Sequence, residues 1–536
     1  MKLRRSIVAP IAIAFVVLTT GSWMLQQGDA RANVYLQARL LQEVIYHVRE
    51  HFVDEVEPDS LYRMAIDGFL RELGDPYADF LTQDNLREMT IRFSGEYAGV
   101  GIQIGLQDNW VTVISPLPGT PGQRAGIRAG DRIIEIDGES TYGLSLDQAA
   151  ARMRGPKGVP VDLLISRMGV DEPIPFRIIR DEIHIRSVPA AYMVTEDIGY
   201  VDLVLFSEST TEEVADAIAR LRAEGMRALI LDLRRNPGGI LEESVKLADL
   251  FLDAGALVVE TRSRVPGESR KYFARTPEKL DGLPVVVLVG PYTASAAEIV
   301  AGALQDHDRA LVLGQTTFGK GLAQLVFPLS GGNALKLTIA RWYTPSGRTI
   351  ERPLRSGSIA RSGGGPDDVA SGDDAPTFRS AGGRPLHGGG EIRPDIVLDT
   401  RRPATPDEIE LDRAIQRYGS RFGEAVFQFA VQYVHDHPGL KPGFPVDSAL
   451  ADAFYRALVA RGIELDRALY DRANGALLDY VAFEITRAAW GEEEGLKRAN
   501  QDDDQIRAAV ELLSKARTME ALFRIAEEQA AGADRN

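Results

Sequence analysis

The first pattern from the amino terminus is an uncharged apolar run, Ile7 to Leu25, standing behind Lys2, Arg4 and Arg5. As a helix it would rise ~28 Å, about the thickness of a bilayer core. Basic residues stand only before it and no second such run follows, so it reads as an export segment rather than a buried core helix. Ala30 and Ala32 form an A-x-A-like cleavage signal. Residues 1–32 are therefore a signal peptide or a retained membrane anchor, and both readings stay open.

From Leu36 the apolar residues Leu36, Leu40, Leu41, Val44, Ile45, Val48 and Phe52 step by three and four, one face of a helix. A second helical pattern from Leu61 to Leu73 stops at the turn Gly74-Asp75-Pro76. Residues 33–93 thus read as a small helical domain. From 95 to 180 the texture becomes short strand-like runs, Val111–Ile114, Arg132–Ile136 and Val161–Ile165, with one helical piece at Leu146–Met153: a compact, mostly β module. Beyond it, strand-like runs at Ile198–Leu205, Ala228–Leu233, Val285–Val289 and Ala310–Leu313 alternate with helical patterns at Thr211–Glu224, Leu241–Leu252 and Ala294–Gln305. Such alternation predicts an α/β core over 181–352, its sheet covered by helices. The whole is a multidomain α/β chain.

Between Pro353 and Arg393, 10 Gly, 5 Ser and 4 Pro make up 19 of 41 residues. Too little apolar surface is left there to offset the entropy of ordering, and a disordered insertion is predicted. Residues 394–402 close the core. Helical periodicity returns over 403–536, as in Val426, Phe429, Ala430, Tyr433 and Val434, with 16 basic and 24 acidic residues. This stretch reads as a separate acidic helical domain that self-associates or docks a partner.

Composition changes the picture only by exclusion. A net charge of −16 has the wrong sign for a nucleic-acid surface. Zero cysteines removes disulfides, thiolate nucleophiles and Cys-ligated zinc or iron–sulfur clusters. The seven histidines are scattered and no H-E-x-x-H occurs, so neither a metal nor a cofactor is expected.

Three segments just after strand-like runs can converge at the carboxyl ends of a sheet, where ligands collect in α/β folds. They are Leu231-Asp232-Leu233-Arg234-Arg235-Asn236-Pro237-Gly238-Gly239, Tyr292-Thr293-Ala294-Ser295-Ala296-Ala297-Glu298 and Gly314-Gln315-Thr316-Thr317-Phe318-Gly319-Lys320-Gly321. Ser295 opens a helix, a position that suits a nucleophile and equally suits a residue that merely caps the helix. Lys320 stands among glycines before another apolar run. Buried beside a serine it would lose hydration, its pKa would fall from ~10.4, and the neutral amine could accept the serine proton. A solvated loop lysine is the plainer alternative. The segment also nearly matches a phosphate-binding loop, but Gly321 replaces the Ser or Thr that would hold magnesium, and a strand rather than a helix is predicted next. His307 lies at the far end of the Ser295 helix, ~18 Å along the axis, which argues against a Ser-His-Asp triad.

Taken in order, these segments resemble the carboxyl-terminal processing peptidases, or tail-specific proteases, of the serine–lysine type. The match runs from about Leu36 to Leu398 and includes Gly68-Phe69-Leu70, Asp75-Pro76-Tyr77, Gly347 to Ile350 and Ile392-Arg393-Pro394-Asp395. The resemblance implies Ser295 as nucleophile, Lys320 as general base and Gln324 as the group that orients it. It implies an oxyanion hole from the N–H groups of Ala296 and of Gly238 or Gly239, with Asp232, Arg234 and Asn236 shaping the loop. It also makes 95–180 a PDZ domain, in which Gly99-Val100-Gly101-Ile102 would bind a peptide carboxylate and Gly126 to Asp131 form a structural turn. The expected enzyme is an exported serine endopeptidase of the cell envelope or periplasm, acting on proteins with unstructured apolar C-termini. It would need no cofactor, would bind no nucleic acid, would touch the membrane through an uncleaved N-terminus, and could form a homo-oligomer. The rival expectation is a catalytically silent PDZ scaffold.

Overall fold

The computed structural model describes residues 35–352, 376–398 and 404–533. The apolar run Ile7–Leu25 and the cleavage signal lie outside them. Among the described residues no helix is long and apolar enough to cross a membrane.

Residues 35–83 and 326–338 form one compact unit. Its first helix, 35–51, follows the predicted periodicity, yet Leu36, Leu40, Leu41 and Val44 are exposed. The next helix, Pro58–Glu72, starts with proline in its first turn, where a missing N–H costs nothing. Beyond the Gly74 turn a short strand, Asp79–Leu81, pairs antiparallel with 334–336, an element too short to leave a periodic signal.

Residues 84–325 and 339–533 make up the second unit. In its β module, five strands run in the order Ile102–Gln107, Trp110–Pro116, Arg132–Ile136, Pro160–Ser166, Ile174–Ile179, each antiparallel to its neighbour. Val111, Val113, Ile133 and Ile165 are fully buried between this sheet and the helix Leu146–Met153. That helix opens with a capping box, Ser145 Oγ accepting from the Gln148 N–H and Gln148 Oε1 from the Ser145 N–H.

The larger sheet runs in the order Ala190–Met193, Ile198–Asp202, Ala228–Asp232, Val285–Val289, Leu311–Gly314, Ile396–Val397. The first pair is antiparallel and the rest are parallel. Every residue of Val285–Val289 is buried. Because strand residues alternate between faces, an unbroken apolar run demands cover on both sides. Val285, Val287 and Val289 face a core shared with the helices Thr210–Ala223, Leu241–Asp249 and Ala296–Asp306.

Val286 and Leu288 face the opposite core, and what covers them departs from the expected separate C-terminal domain. Ile506, Ala509, Leu512, Leu513 and Leu522 pack there against Ile230, Val286, Leu288 and Leu313. They belong to the helices Asp504–Lys515 and Met519–Ala533. The end of the chain is therefore the second helical layer of the core. Only the preceding helices, among them Ser420–Asp436, Ser448–Ala460 and Gly475–Trp490, gather around a core of their own, centred on Val426, Phe454, Leu458, Tyr470 and Val481.

A second departure concerns the stretch 353–393. Residues 353–375 lie outside the description, but 376–393 does not match the expected disorder: Thr377–Arg379 and Pro385–His387 pair as a small antiparallel ladder. Charge adds to the little apolar surface that Leu386 and Ile392 bury. Arg384 Nε donates to Asp308 Oδ1 at 2.8 Å and its Nη1 reaches Asp395, while the Ala381 N–H donates to the Asp306 carbonyl at 2.8 Å.

Candidate active site

Strand Val285–Val289 delivers the chain to Gly290, and the next four residues are fixed by side chains of their own. Thr293 Oγ1 donates to the Leu233 carbonyl at 2.8 Å and accepts the Gly290 N–H at 2.9 Å. The Ala294 N–H donates to the Asn236 carbonyl at 3.0 Å. Ser295 follows with φ 55° and ψ −117°, a strained conformation for a residue with a side chain, held because both flanks are bonded. The helix Ala296–Asp306 begins at the next residue.

Glu298, in the first turn of that helix, is fully buried. Its Oε2 accepts the N–H of Ser295 at 2.8 Å and the N–H of Lys320 at 2.9 Å. Its Oε1 accepts the Gly319 N–H at 2.7 Å and Thr317 Oγ1 at 2.5 Å. Two donors on one oxygen lie within about 6 Å of each other, so the backbones at Ser295 and Lys320 are held side by side by one carboxylate. Burial pushes that carboxyl up to about 7, against the opposing pull of these four donors. Glu298 belongs to a segment singled out in the sequence, but no role was predicted for it. The available signal is an acid standing third in the run Ala296–Leu304, which is otherwise without a polar side chain.

Lys320 Nζ donates to Gln324 Oε1 at 3.2 Å, and both side chains are half-buried. The loop before the lysine leaves no room for side chains at its glycines. A Cβ on Gly319, whose φ is +85°, would lie 2.1 Å from the Gly390 carbonyl oxygen, and one on Gly321 would lie 2.5 Å from the Glu351 nitrogen. After Gly321 comes the strand Leu322–Pro328, not the helix of a phosphate-binding loop. Thr317 Oγ1 accepts the N–H of Ile392 at 2.9 Å, which joins the closing Ile392–Asp395 segment to the lysine loop.

Facing Ser295 is the loop 234–239. Asn236 Nδ2 donates to the Leu203 carbonyl at 2.9 Å, and its Oδ1 accepts the Gly238 N–H at 2.8 Å. Gly238, with φ +96°, abuts Ser295 so closely that a Cβ there would lie 2.8 Å from Ser295 Cβ and 2.9 Å from the Ala296 nitrogen. Its own N–H is committed to Asn236. Gly239 bridges Phe206 in parallel, with Phe206 N–H on the Gly238 carbonyl and Ile240 N–H on the Phe206 carbonyl. In that ladder the N–H of Gly239 itself turns to the other side.

Behind the loop, Asp232 accepts Tyr200 Oη at 2.8 Å and two Arg234 nitrogens, Nε at 3.0 Å and Nη2 at 2.6 Å. Burial raises the Asp232 carboxyl, but the Arg234 charge and bonds outweigh it and hold the group below its ordinary value. Asp202, paired with Arg235 at 2.6 Å, is pushed up to about 6 by burial and by the charge of Asp232. His307 takes no part: its Nε2 meets the Leu257 carbonyl at 2.7 Å.

In the β module, Gly99 to Ile102 turns between the strands Glu96–Gly99 and Ile102–Gln107, with Gly101 at φ +76°. The loop is fixed through its carbonyls. That of Val100 accepts the Gly122 N–H at 2.8 Å, and that of Gly101 accepts Thr120 Oγ1 at 2.8 Å and the Leu117 N–H at 3.0 Å. Strand Ile102–Gln107 ends its sheet, the kind of edge position to which an extended peptide can add. The turn Gly126 to Asp131 is structural, with Asp131 buried and gripped by Arg167 Nε and Nη2 at 2.7 Å.

A cleft of 1110 Å³ separates this module from the core, walled by Arg128 and Met168 of the module, Arg186 and Arg235 of the core, and Val434 and Trp490 of the C-terminal helices. It reaches the base of the 234–239 loop through Arg235.

Residues 197–356 match the model of peptidase family S41, and residues 88–166 match that of the PDZ domain. The chain is 38% identical over 323 residues to a carboxy-terminal-processing protease of Bartonella bacilliformis, covering 60% of this chain and 74% of that one. It is 33% identical over 346 residues to the carboxy-terminal processing protease CtpA of Bacillus subtilis, covering 65% of this chain and 73% of that one. Among solved structures it is similar to a photosystem II D1 C-terminal processing protease, at 28% identity and a TM-score of 0.35, over 68% of this chain and 88% of that one.

Proposed function

The chain belongs to the carboxy-terminal processing proteases of peptidase family S41, serine-type peptidases with a PDZ domain, and from that premise we propose how it works. Ser295 is the nucleophile, Lys320 the general base and Gln324 the residue that orients the amine. The observation that carries this reading is the shared Glu298 oxygen, which ties the backbones of Ser295 and Lys320 together, with Lys320 Nζ on Gln324 beyond it.

Ser295 Oγ attacks the scissile carbonyl carbon as its proton passes to Lys320 Nζ, giving a tetrahedral intermediate and an ammonium. The oxyanion is met by the N–H of Ala296, at the positive end of its helix, and by that of Gly239. Gly238 serves by having no side chain, since its N–H already belongs to Asn236. Collapse breaks the C–N bond, and the departing amine takes the proton from Lys320. Water then repeats the sequence on the acyl-enzyme and returns Ser295.

Substrate is selected by its C-terminus. The N–H groups of Gly99 to Ile102 receive the terminal carboxylate, and the upstream residues add to the edge strand Ile102–Gln107. We place the enzyme outside the cytoplasm on the strength of residues 1–32. Cleavage of an unfolded protein bearing an apolar C-terminus, and its loss when that C-terminus is amidated, tests this reading. Equal cleavage of the acid and the amide contradicts tail recognition.

A further inference from the structure

The last two helices of the chain do more than cover the sheet. At the start of helix Asp504–Lys515, Asp503 uses its two carboxylate oxygens for different purposes. Oδ1 caps the helix, accepting the N–H groups of Gln505 and Ile506 at 2.9 and 3.0 Å. Oδ2 accepts Arg234 Nη1 at 2.6 Å. Gln505, itself buried, accepts the same Nη1 on Oε1 at 3.1 Å and donates from Nε2 to the Leu398 carbonyl at 3.1 Å.

Both ends of this clasp lead to the reacting groups. Arg234 opens the loop whose Gly238 abuts Ser295, and its Cβ and Cγ would touch a Cβ built on Gly290, the first residue after the strand that leads to Ser295. On the other side, the Leu398 N–H donates to the carbonyl of Gly314 at 2.8 Å, and Gly314 opens the segment that ends in Lys320. A half-buried arginine with one carboxylate partner can pivot. With Asp232 on one side and Asp503 and Gln505 on the other, it cannot.

We propose that Asp503 and Gln505 are positioning residues for peptide-bond hydrolysis: through Arg234 they fix the 234–239 loop against Ser295, so that the C-terminal extension is part of the catalytic apparatus. This rests on the serine-protease reading above.

The test uses the full chain with Asp503→Asn, which keeps a good helix cap while removing the charge, and Gln505→Met, which keeps the volume. Arg517→Ala is the control, since it breaks another ion pair between the extension and the core, to Asp197 at 2.8 Å, away from the loop. The readouts are kcat and KM on a tailed protein, inhibition by a peptide boronate, binding of a short peptide with an apolar C-terminus, and Tm. We expect both loop variants to lose about 10-fold in kcat and as much in boronate affinity, with KM and peptide binding unchanged. Arg517→Ala should shift Tm alone. If the unaltered chain cleaves and both loop variants match its kcat, or if Arg517→Ala loses kcat in the same proportion to Tm, the positioning role is overturned. An unaltered chain that cleaves nothing overturns the protease reading, and this proposal with it.

Discussion

The N–H groups of Ser295 and Lys320 end on the same oxygen of Glu298, at 2.8 and 2.9 Å. The two residues stand 25 positions apart in the chain, and this buried carboxylate holds their backbones side by side. Glu298→Gln replaces one acceptor oxygen by an NH₂ that faces donors. We expect a loss of about 2–3 kcal/mol in stability and about 100-fold in kcat, read by urea unfolding and by cleavage. A folded Glu298→Gln chain with full activity would show that the shared oxygen is not needed.

The same group sets a pH dependence. Its carboxyl is raised from 4.5 to about 7 by burial, so between those values the folded chain holds more protons than the unfolded one. Stability from this group is therefore greatest at the acid end and falls as pH rises through the window. Asp202, raised to about 6, acts in the same direction. Activity runs the other way, because only the carboxylate accepts all four donors. Urea midpoints should fall from pH 5 to 7 while kcat climbs through about 7, and Glu298→Gln should flatten the first trend.

Gly238→Ala places a methyl group against Ser295 Cβ and the Ala296 nitrogen at a backbone φ of +96°. Loss of about 100- to 1,000-fold in kcat is expected, with tail-peptide binding unchanged because the β module is not touched. Retention of activity would require the loop to stand farther from Ser295 than it does.

A chain ending at Arg402 uncovers Ile230, Val286, Leu288 and Leu313, all fully buried on the sheet face under the last two helices. Aggregation on expression is the expected result, measured as mass in solution. A monodisperse, active truncation would mean that the face finds other cover.

Much of this architecture was legible because strands and helices of the core keep clean periods. Val285–Val289 and Arg132–Ile136 occur with the predicted bounds, and the three segments chosen for their place after strands do meet. Sequence alone assigns the last two helices to the separate C-terminal domain, because an amphipathic face looks the same whether it meets another helix or a sheet. The sheet's need for a second cover was written in the all-apolar run Val285–Val289, not in the helices. The pair 377–379 and 385–387 is hidden by glycine-rich composition, since its hold on the core comes from the ion pairs of Arg384 and from one buried apolar residue, Leu386, too little to make a pattern. The bond from the Gly238 N–H to Asn236 Oδ1, on which the proposed choice of Gly239 rests, is one that no spacing rule encodes.

The most direct test is cleavage of an unfolded, apolar-tailed protein by the intact chain, Ser295→Ala and Lys320→Ala, with tail-peptide binding and unfolding measured on all three. The account predicts cleavage by the intact chain only, with binding and stability alike in the three proteins. Cleavage that survives Lys320→Ala, or an intact chain that binds the tail and never cuts, would contradict it.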